Sequence, residues 1–326
     1  MSHFITVPIN TSGVITDSFF ADEMATACSP EFGTTDVLLY SHGWWTDADS
    51  AMCFYNRFST GFSDQVLKIL KSVPADLPNR PAQAFGIGLH WPSVFTENPG
   101  SILDKVEVLS YYTMEKRADI VGQNALYTML RHAIEINQGR QQPLRFHMLG
   151  HSFGCKVVSA ALQQIALEKD QGEIQQALQI NVILLQAAFK NNSFEAGEDY
   201  DKIPGTELGA RVLVTKSELD TANGTQFPLA QSINVFAPDH DRIALGYAGP
   251  TAAARELFGS SQDITINPGF THSDFNSNSR LICADLTPVH KRNEDQKIYV
   301  GDSFGGHHSD INFAELYELI AAFLFK

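Results

Sequence analysis

The chain is poor in basic residues and in cysteine. Only 23 lysines and arginines stand against 37 acidic residues, a formal net charge of −14 over 326 residues. Such a surface repels phosphate backbones and anionic headgroups, which argues against nucleic acid or membrane as a main partner. The acidity reads as a solubilising surface. The four cysteines, Cys28, Cys53, Cys155 and Cys283, are scattered and show no C-x-x-C spacing. They fit reduced, mostly buried thiols of an intracellular protein and exclude a disulfide framework or a cysteine metal site. Long apolar runs are also missing; runs such as Val182–Leu185 are far too short for a bilayer. Met1–Thr6 has neither a basic n-region nor an apolar h-region, so a cytoplasmic location is expected. No repeat, low-complexity tract or linker divides the sequence, and one domain over residues 1–326 is expected.

What is present is enough apolar residue, 44% against 18% charged, for a large folded core. Short aliphatic or β-branched runs alternate with helical stretches. The runs predict strands at Asp36–Tyr40, Ala84–Leu89, Leu144–Leu149, Ile180–Ala187, Ala210–Thr215 and Leu281–Asp285. Helices are expected around Ala48–Lys71, Glu115–Ile136, Ser152–Glu168 and Asn312–Phe325. Continuous apolar strands separated by helices specify an α/β fold, a doubly wound, mostly parallel sheet with helices on both faces. Three stretches depart from this unit: 91–112, 190–208 and 219–279 are rich in turn residues. Loops at the C-terminal ends of parallel strands build ligand sites, so these segments are expected to form a cap or pocket wall.

One motif carries chemistry. Gly150-His151-Ser152-Phe153-Gly154 lies between the Leu144–Leu149 run and the helical stretch that begins at Cys155. G-x-S-x-G between strand and helix raises the serine hydroxyl on a sharp turn at the helix N-terminus. A second match, Gly301-Asp302-Ser303-Phe304-Gly305, runs into the loop sequence Gly305–Ser309 with no helix directly after it. Ser303 also leaves too short a tail to supply an acid and a base in the order serine, acid, histidine. Ser152 is therefore the expected nucleophile.

Serine needs a base, a group to orient the base, and donors for the developing oxyanion. The turn Ser41-His42-Gly43-Trp44-Trp45 follows an early strand, and its Trp44 N–H is assigned with that of Phe153 to the oxyanion, Gly43 and Trp45 being near alternatives. His42 is read as a hydrogen-bonder within that loop. The acid is expected just past the Ala210–Thr215 strand: Asp220 is preferred, with Glu218, Asp239 and Asp241 as alternatives. The base comes from Gly305-Gly306-His307-His308, directly before the last helix; His308 is preferred to His307 because it lies nearer the helix start. Metal binding by His307, His308 and Asp310 would need further ligands that the sequence does not place.

These residues resemble the α/β-hydrolase superfamily over most of the chain, from about Asp36 onward. The segments Ser41–Trp44, His90–Ser93 and Gly150–Gly154 are similar to those of uncharacterised bacterial α/β-hydrolases. The resemblance implies a serine hydrolase of carboxylic esters acting through an acyl-enzyme, with Ser152 attacking, His308 shuttling the proton and Asp220 holding the imidazole. A serine at this position argues against dehalogenase or epoxide hydrolase chemistry, and no cofactor or metal is implied. The expected partner is a small-molecule ester, small or aromatic in its acyl or alcohol group. Trp44, Trp45, Trp91, Tyr111, Tyr112, Phe153 and Phe227 are expected to line its pocket. A thioesterase, amidase or acyltransferase could use the same residues, and a binding module without catalysis is the remaining alternative.

Overall fold

The computed structural model describes residues 3–44, 46–72, 83–93, 103–233, 243–299 and 305–325. Eight strands form one sheet: β1 (His3–Pro8), β2 (Asp36–Ser41), β3 (Ala84–His90), β4 (Arg145–His151), β5 (Gln179–Leu185), β6 (Arg211–Lys216), β7 (Ser261–Thr265) and β8 (Leu281–Asp285). Their order is β1-β3-β2-β4-β5-β6-β8-β7. Every neighbouring pair is parallel, so the sheet is wholly rather than mostly parallel. The helices are α1 (Phe20–Ala27), α2 (Ala48–Ser72), α3 (Leu103–Val121), α4 (Tyr127–Asn137), α5 (Gly154–Asp170), α6 (Phe227–Ile233), α7 (Leu245–Ala248), α8 (Ala252–Leu257), α9 (Thr287–Asp295) and α10 (Ala314–Phe325). A π-turn, Gly122–Leu126, joins α3 to α4. A side chain there would strike α5, since a Cβ on Gly122 would lie 2.4 Å from the Val157 carbonyl oxygen.

The inner strands β2 to β6 and β8 bury both faces, which is why they read as largely apolar runs. Along β2, Val37 and Leu39 face one core layer with α3, α4 and α5. Leu38 and Tyr40 face the other, with α2, α9 and α10. Successive side chains on a strand point to opposite faces, so one segment serves both layers.

The strand order puts a crevice at a definite place. β2 leaves through α2 toward β3, whereas β4 leaves through α5 toward β5, on the other side. Between the C-terminal ends of these paired strands, where Ser41 is opposite Gly150, the two connections diverge. Ligands bind at such switch points in parallel sheets. Both turns singled out in the sequence, Ser41–Trp44 and Gly150–Gly154, lie there.

Of the three irregular segments, 91–112 and 219–279 supply lining residues of the cavity described below, Tyr111 from the first and Ala222, Asn223, Gln226 and Phe227 from the second, while 190–208 supplies none. Residues 94–102 and 234–242 lie outside the described residues, and 103–112 is the start of α3 rather than a loop. Residues 190–208 form turns that bury Phe194 and Tyr200 against Phe189 and Phe258, an aromatic cluster of the core instead of a pocket wall. Within 219–279 lies β7, which extends the sheet beyond β8.

Candidate active site

The serine turn is forced by close backbone packing. β4 ends at His151 and α5 starts at Gly154, so Ser152 must reverse the chain. It does so at φ 57°, a left-handed conformation that residues with a Cβ rarely take and that concentrates at functional sites. A Cβ on Gly150 would lie 2.5 Å from the Gly154 carbonyl, and one on Gly154 would lie 2.1 Å from Ser41 O. The turn after β2 approaches just as closely, for a Cβ on Gly43 would sit 2.7 Å from Ser152 Cβ. Ser152 N–H donates to Leu185 O at 3.1 Å, while Ser152 O accepts from Cys155 N at 3.0 Å and Ala188 N at 3.4 Å. The elbow is thus held from β5 as well as from its own helix.

Asp220, completely buried, meets the loop that carries His307 and His308. Its Oδ1 accepts from Asn223 N–H at 3.0 Å. Its Oδ2 accepts from Asn223 Nδ2 at 2.8 Å and from His308 Nδ1 at 2.9 Å. An ionised carboxylate only accepts, so the Nδ1 proton of His308 lies toward Asp220 and Nε2 is left for other work. The loops are zipped by an antiparallel bridge between Asp220 and Gly306 and by His307 N–H to Leu219 O at 2.9 Å. Gly306 takes φ 57°, and a Cβ there would lie 2.5 Å from Leu219 O, so this crossing requires glycine. His151, beside the serine, donates Nε2–H to His308 O at 2.9 Å. Burial, with the His308 ring next to it, lowers the His151 pKa to about 3, so it is a neutral donor rather than a base.

His308 and Ser152 line the same cavity. No direct hydrogen bond joins the hydroxyl to the ring; such bonds commonly tighten only around a reactant. His307 turns away: Nδ1 lies 3.1 Å from Asp310 Oδ2, and the ring stacks on His290 at 5.2 Å. The tandem therefore makes two separate histidine–carboxylate pairs, not a convergent set of metal ligands. Glu218 is exposed, while Asp239, Asp241 and Ser303 lie outside the described residues.

The cavity has a volume of about 370 Å³. Trp44, Tyr111, Phe153 and Phe227 form its aromatic wall, with Tyr111 edge-on to Trp44, Phe153 and Phe227 at 6.1, 5.1 and 6.2 Å. Among the described lining residues none is Lys, Arg, Asp or Glu. Two expected wall residues are elsewhere. Trp91 is fully buried and stacks on His42 at 5.2 Å, because its indole N–H finds Ser41 Oγ and His42 O, both at 3.2 Å, beneath the turn. Tyr112 points its hydroxyl to Ala230 O and braces α3 against α6. Trp45 lies outside the described residues. His42 is buried, with its Nδ1 2.8 Å from Gly43 O and its Nε2 accepting from Trp91 N at 3.3 Å; burial holds its pKa down, to about 4.

The sequence reading missed Asn223, Gln226, Ala222, Ala188, Thr46 and Ser309, which also line the cavity. Asn223 had a legible signal, since an amide three residues after a turn aspartate is well placed to bond its carboxylate. The others carry no chemical signature of their own.

Residues 34–241 match the family described as "Alpha/beta hydrolase of unknown function (DUF900)". That stretch is more than half of the chain, which belongs to this family. A stretch of 107 residues is 27% identical to "Regulatory protein RecX" of Enterococcus faecalis (strain ATCC 700802 / V583), covering 29% of this chain and 40% of that protein. The chain thus spans well under half of that curated relative, and nothing of its role is carried over.

Proposed function

Since the chain is an α/β-hydrolase, we propose that it cleaves neutral carboxylic esters through an acyl-enzyme on Ser152. The observation that supports this reading is that a left-handed elbow serine shares a cavity with an imidazole whose far nitrogen is bonded to a buried carboxylate. Ser152 Oγ attacks the ester carbonyl while His308 Nε2 takes its proton. Asp220 keeps the Nδ1 tautomer and stabilises the imidazolium that forms. The oxyanion is assigned to the N–H of Phe153, at the positive end of α5, with that of Trp44 in the facing turn. Collapse breaks the ester C–O bond, and the imidazolium returns its proton to the departing alkoxide. Water then attacks the acyl-serine by the same steps in reverse, releasing the acid and restoring Ser152.

The cavity limits the substrate. Its volume of about 370 Å³ suits a small ligand, and four aromatic rings reward a flat or short apolar group. A charged substrate would find no opposite charge among the described lining residues and would lose its hydration on entry. The test is hydrolysis of p-nitrophenyl esters of graded acyl length, with benzoate included, by wild type and Ser152→Ala. Wild type should favour short and aromatic acyl groups, and the variant should lose about four to six orders of magnitude in kcat. An unaltered rate in the variant would end the assignment. Thioester, amide and alcohol-acceptor assays run alongside identify the leaving group.

A further inference from the structure

We infer that Gln186, a residue outside the cavity wall, is a positioning residue that sets the spacing between nucleophile, acid and base. The inference rests on the serine-hydrolase reading above. Gln186 follows β5 directly, is fully buried and takes φ 46°. Glycine would accept that backbone readily; the chain instead places there a side chain with a particular bond to make.

Each polar group of Gln186 that bonds reaches a different part of the site. Its Nε2 donates to the carbonyl of His307 at 3.0 Å, one peptide before His308. Its own carbonyl accepts from Asn223 Nδ2 at 2.9 Å, the same amide nitrogen that bonds Asp220 Oδ2. Its N–H donates to Thr215 Oγ1 at 3.0 Å, which fixes it to the end of β6, the strand that leads into the acid loop. The residues on either side grip the elbow, through Leu185 O to Ser152 N–H and Ala188 N–H to Ser152 O. Space for this junction is left by Gly246, where a Cβ would lie 2.4 Å from the Gln186 carbonyl carbon.

The consequence is geometric. Consecutive carbonyls of the base loop are held by side chains rooted at two strand ends: His307 O by Gln186 after β5, and His308 O by His151 at the end of β4. The His151 bond ties the base loop to the serine. The Gln186 bond ties it to the acid, because Gln186 also holds Asn223. Without the amide, the base loop keeps its fold through the Asp220–Gly306 bridge but can slide along it, changing the His308–Ser152 distance.

The experiment compares wild type, Gln186→Met and Ser152→Ala on the best p-nitrophenyl ester. Methionine keeps the length and burial of the side chain and removes the donor. Gln186→Met should lower kcat roughly 10- to 100-fold, the effect of a misplacement near 1 Å, with KM changed less than about twofold. The downfield proton resonance of the His308 Nδ1–H should shift or broaden, which a loss of stability alone would not produce. Should Gln186→Met fail to fold, Thr215→Val decides, since it removes only the acceptor for the Gln186 N–H; a kcat lowered roughly threefold or more at constant KM supports the inference. If Ser152→Ala abolishes turnover but the variant tested at this junction keeps kcat within about twofold, the role of Gln186 is overturned and the serine-hydrolase reading stands. If Ser152→Ala retains wild-type activity, both fall.

Discussion

Gly154→Ala tests the claim that the site is built by contact between two backbones. The added Cβ would lie 2.1 Å from Ser41 O and 2.6 Å from His42 O, whereas ordinary contact begins near 3.4 Å. The start of α5 must therefore retreat by about 1.3 Å from the turn after β2. No flexible side-chain tip can yield, because both obstacles are backbone oxygens of a buried turn. Overpacking of this severity costs about 3 kcal/mol. At roughly 2 °C per kcal/mol for a chain of this size, Tm should fall by about 6 °C. Activity should suffer more than stability. The retreat carries Phe153 N–H and Ser152 away from the Ser41–Trp44 turn, and a misplacement of about 1 Å costs on the order of 100-fold in rate. Thermal unfolding and ester hydrolysis on one preparation, with the fraction folded checked at the assay temperature, separate the two effects. A Gly154→Ala protein with kcat within threefold of wild type would refute the argument that this contact sets the site.

Three further outcomes are expected. His308→Gln should lower kcat by about four orders of magnitude with little change in Tm, whereas His307→Gln, which breaks the buried pairing with Asp310, should mainly lower Tm; steady-state kinetics and calorimetry on both variants check the division of roles. Ser152→Gly should be more stable than Ser152→Ala by about 1 kcal/mol in urea unfolding, because both lack the hydroxyl but only alanine must hold a Cβ at φ 57°. At the opposite end of the sheet, burial tends to raise the Asp36 pKa, but bonds from His147 and Arg145 outweigh it and lower it to about 2. A depressed carboxylate pKa stabilises the fold above the unfolded value near 4 and loses that stabilisation as pH falls toward 2. Wild type should thus lose about 2 kcal/mol over that window. Asp36→Asn should show a flatter dependence there and be about 3 kcal/mol less stable at pH 7, since it leaves Arg145 buried without its partner charge; urea titrations at stepped pH measure both.

What could be read from the chain followed from how strongly the fold constrains each residue. β2 to β6 and β8 each have a neighbour on both sides and helices on both faces, so nearly every position is buried and the apolar run is unbroken. β1 and β7 are the two edges, and neither was expected. β7, Ser261–Thr265, alternates exposed with half-buried residues and so offers no apolar run to detect. The same logic applies within the site. Ser152 was legible because its turn admits almost no alternative to glycine at 150 and 154, and that demand leaves a local pattern. Which of His307 and His308 faces the cavity is not decided locally. The two residues lie in a hydrogen-bonded turn, with His308 N–H to Gly305 O at 3.0 Å, and that turn is seated by Gly306 against Leu219 O, 87 residues away in sequence. The aromatic wall was harder still. Tyr111 and Tyr112 are neighbours on α3, yet one faces the cavity and the other reaches Ala230, because a helix turns about 100° per residue. Starting that helix at Glu115 instead of Leu103 left the facing of both rings undetermined. A pattern confined to one turn is therefore visible in sequence, whereas contacts assembled between β5, the Asp220 loop and the His308 loop, such as the hydrogen bonds of Gln186, become visible only once the strand order is known.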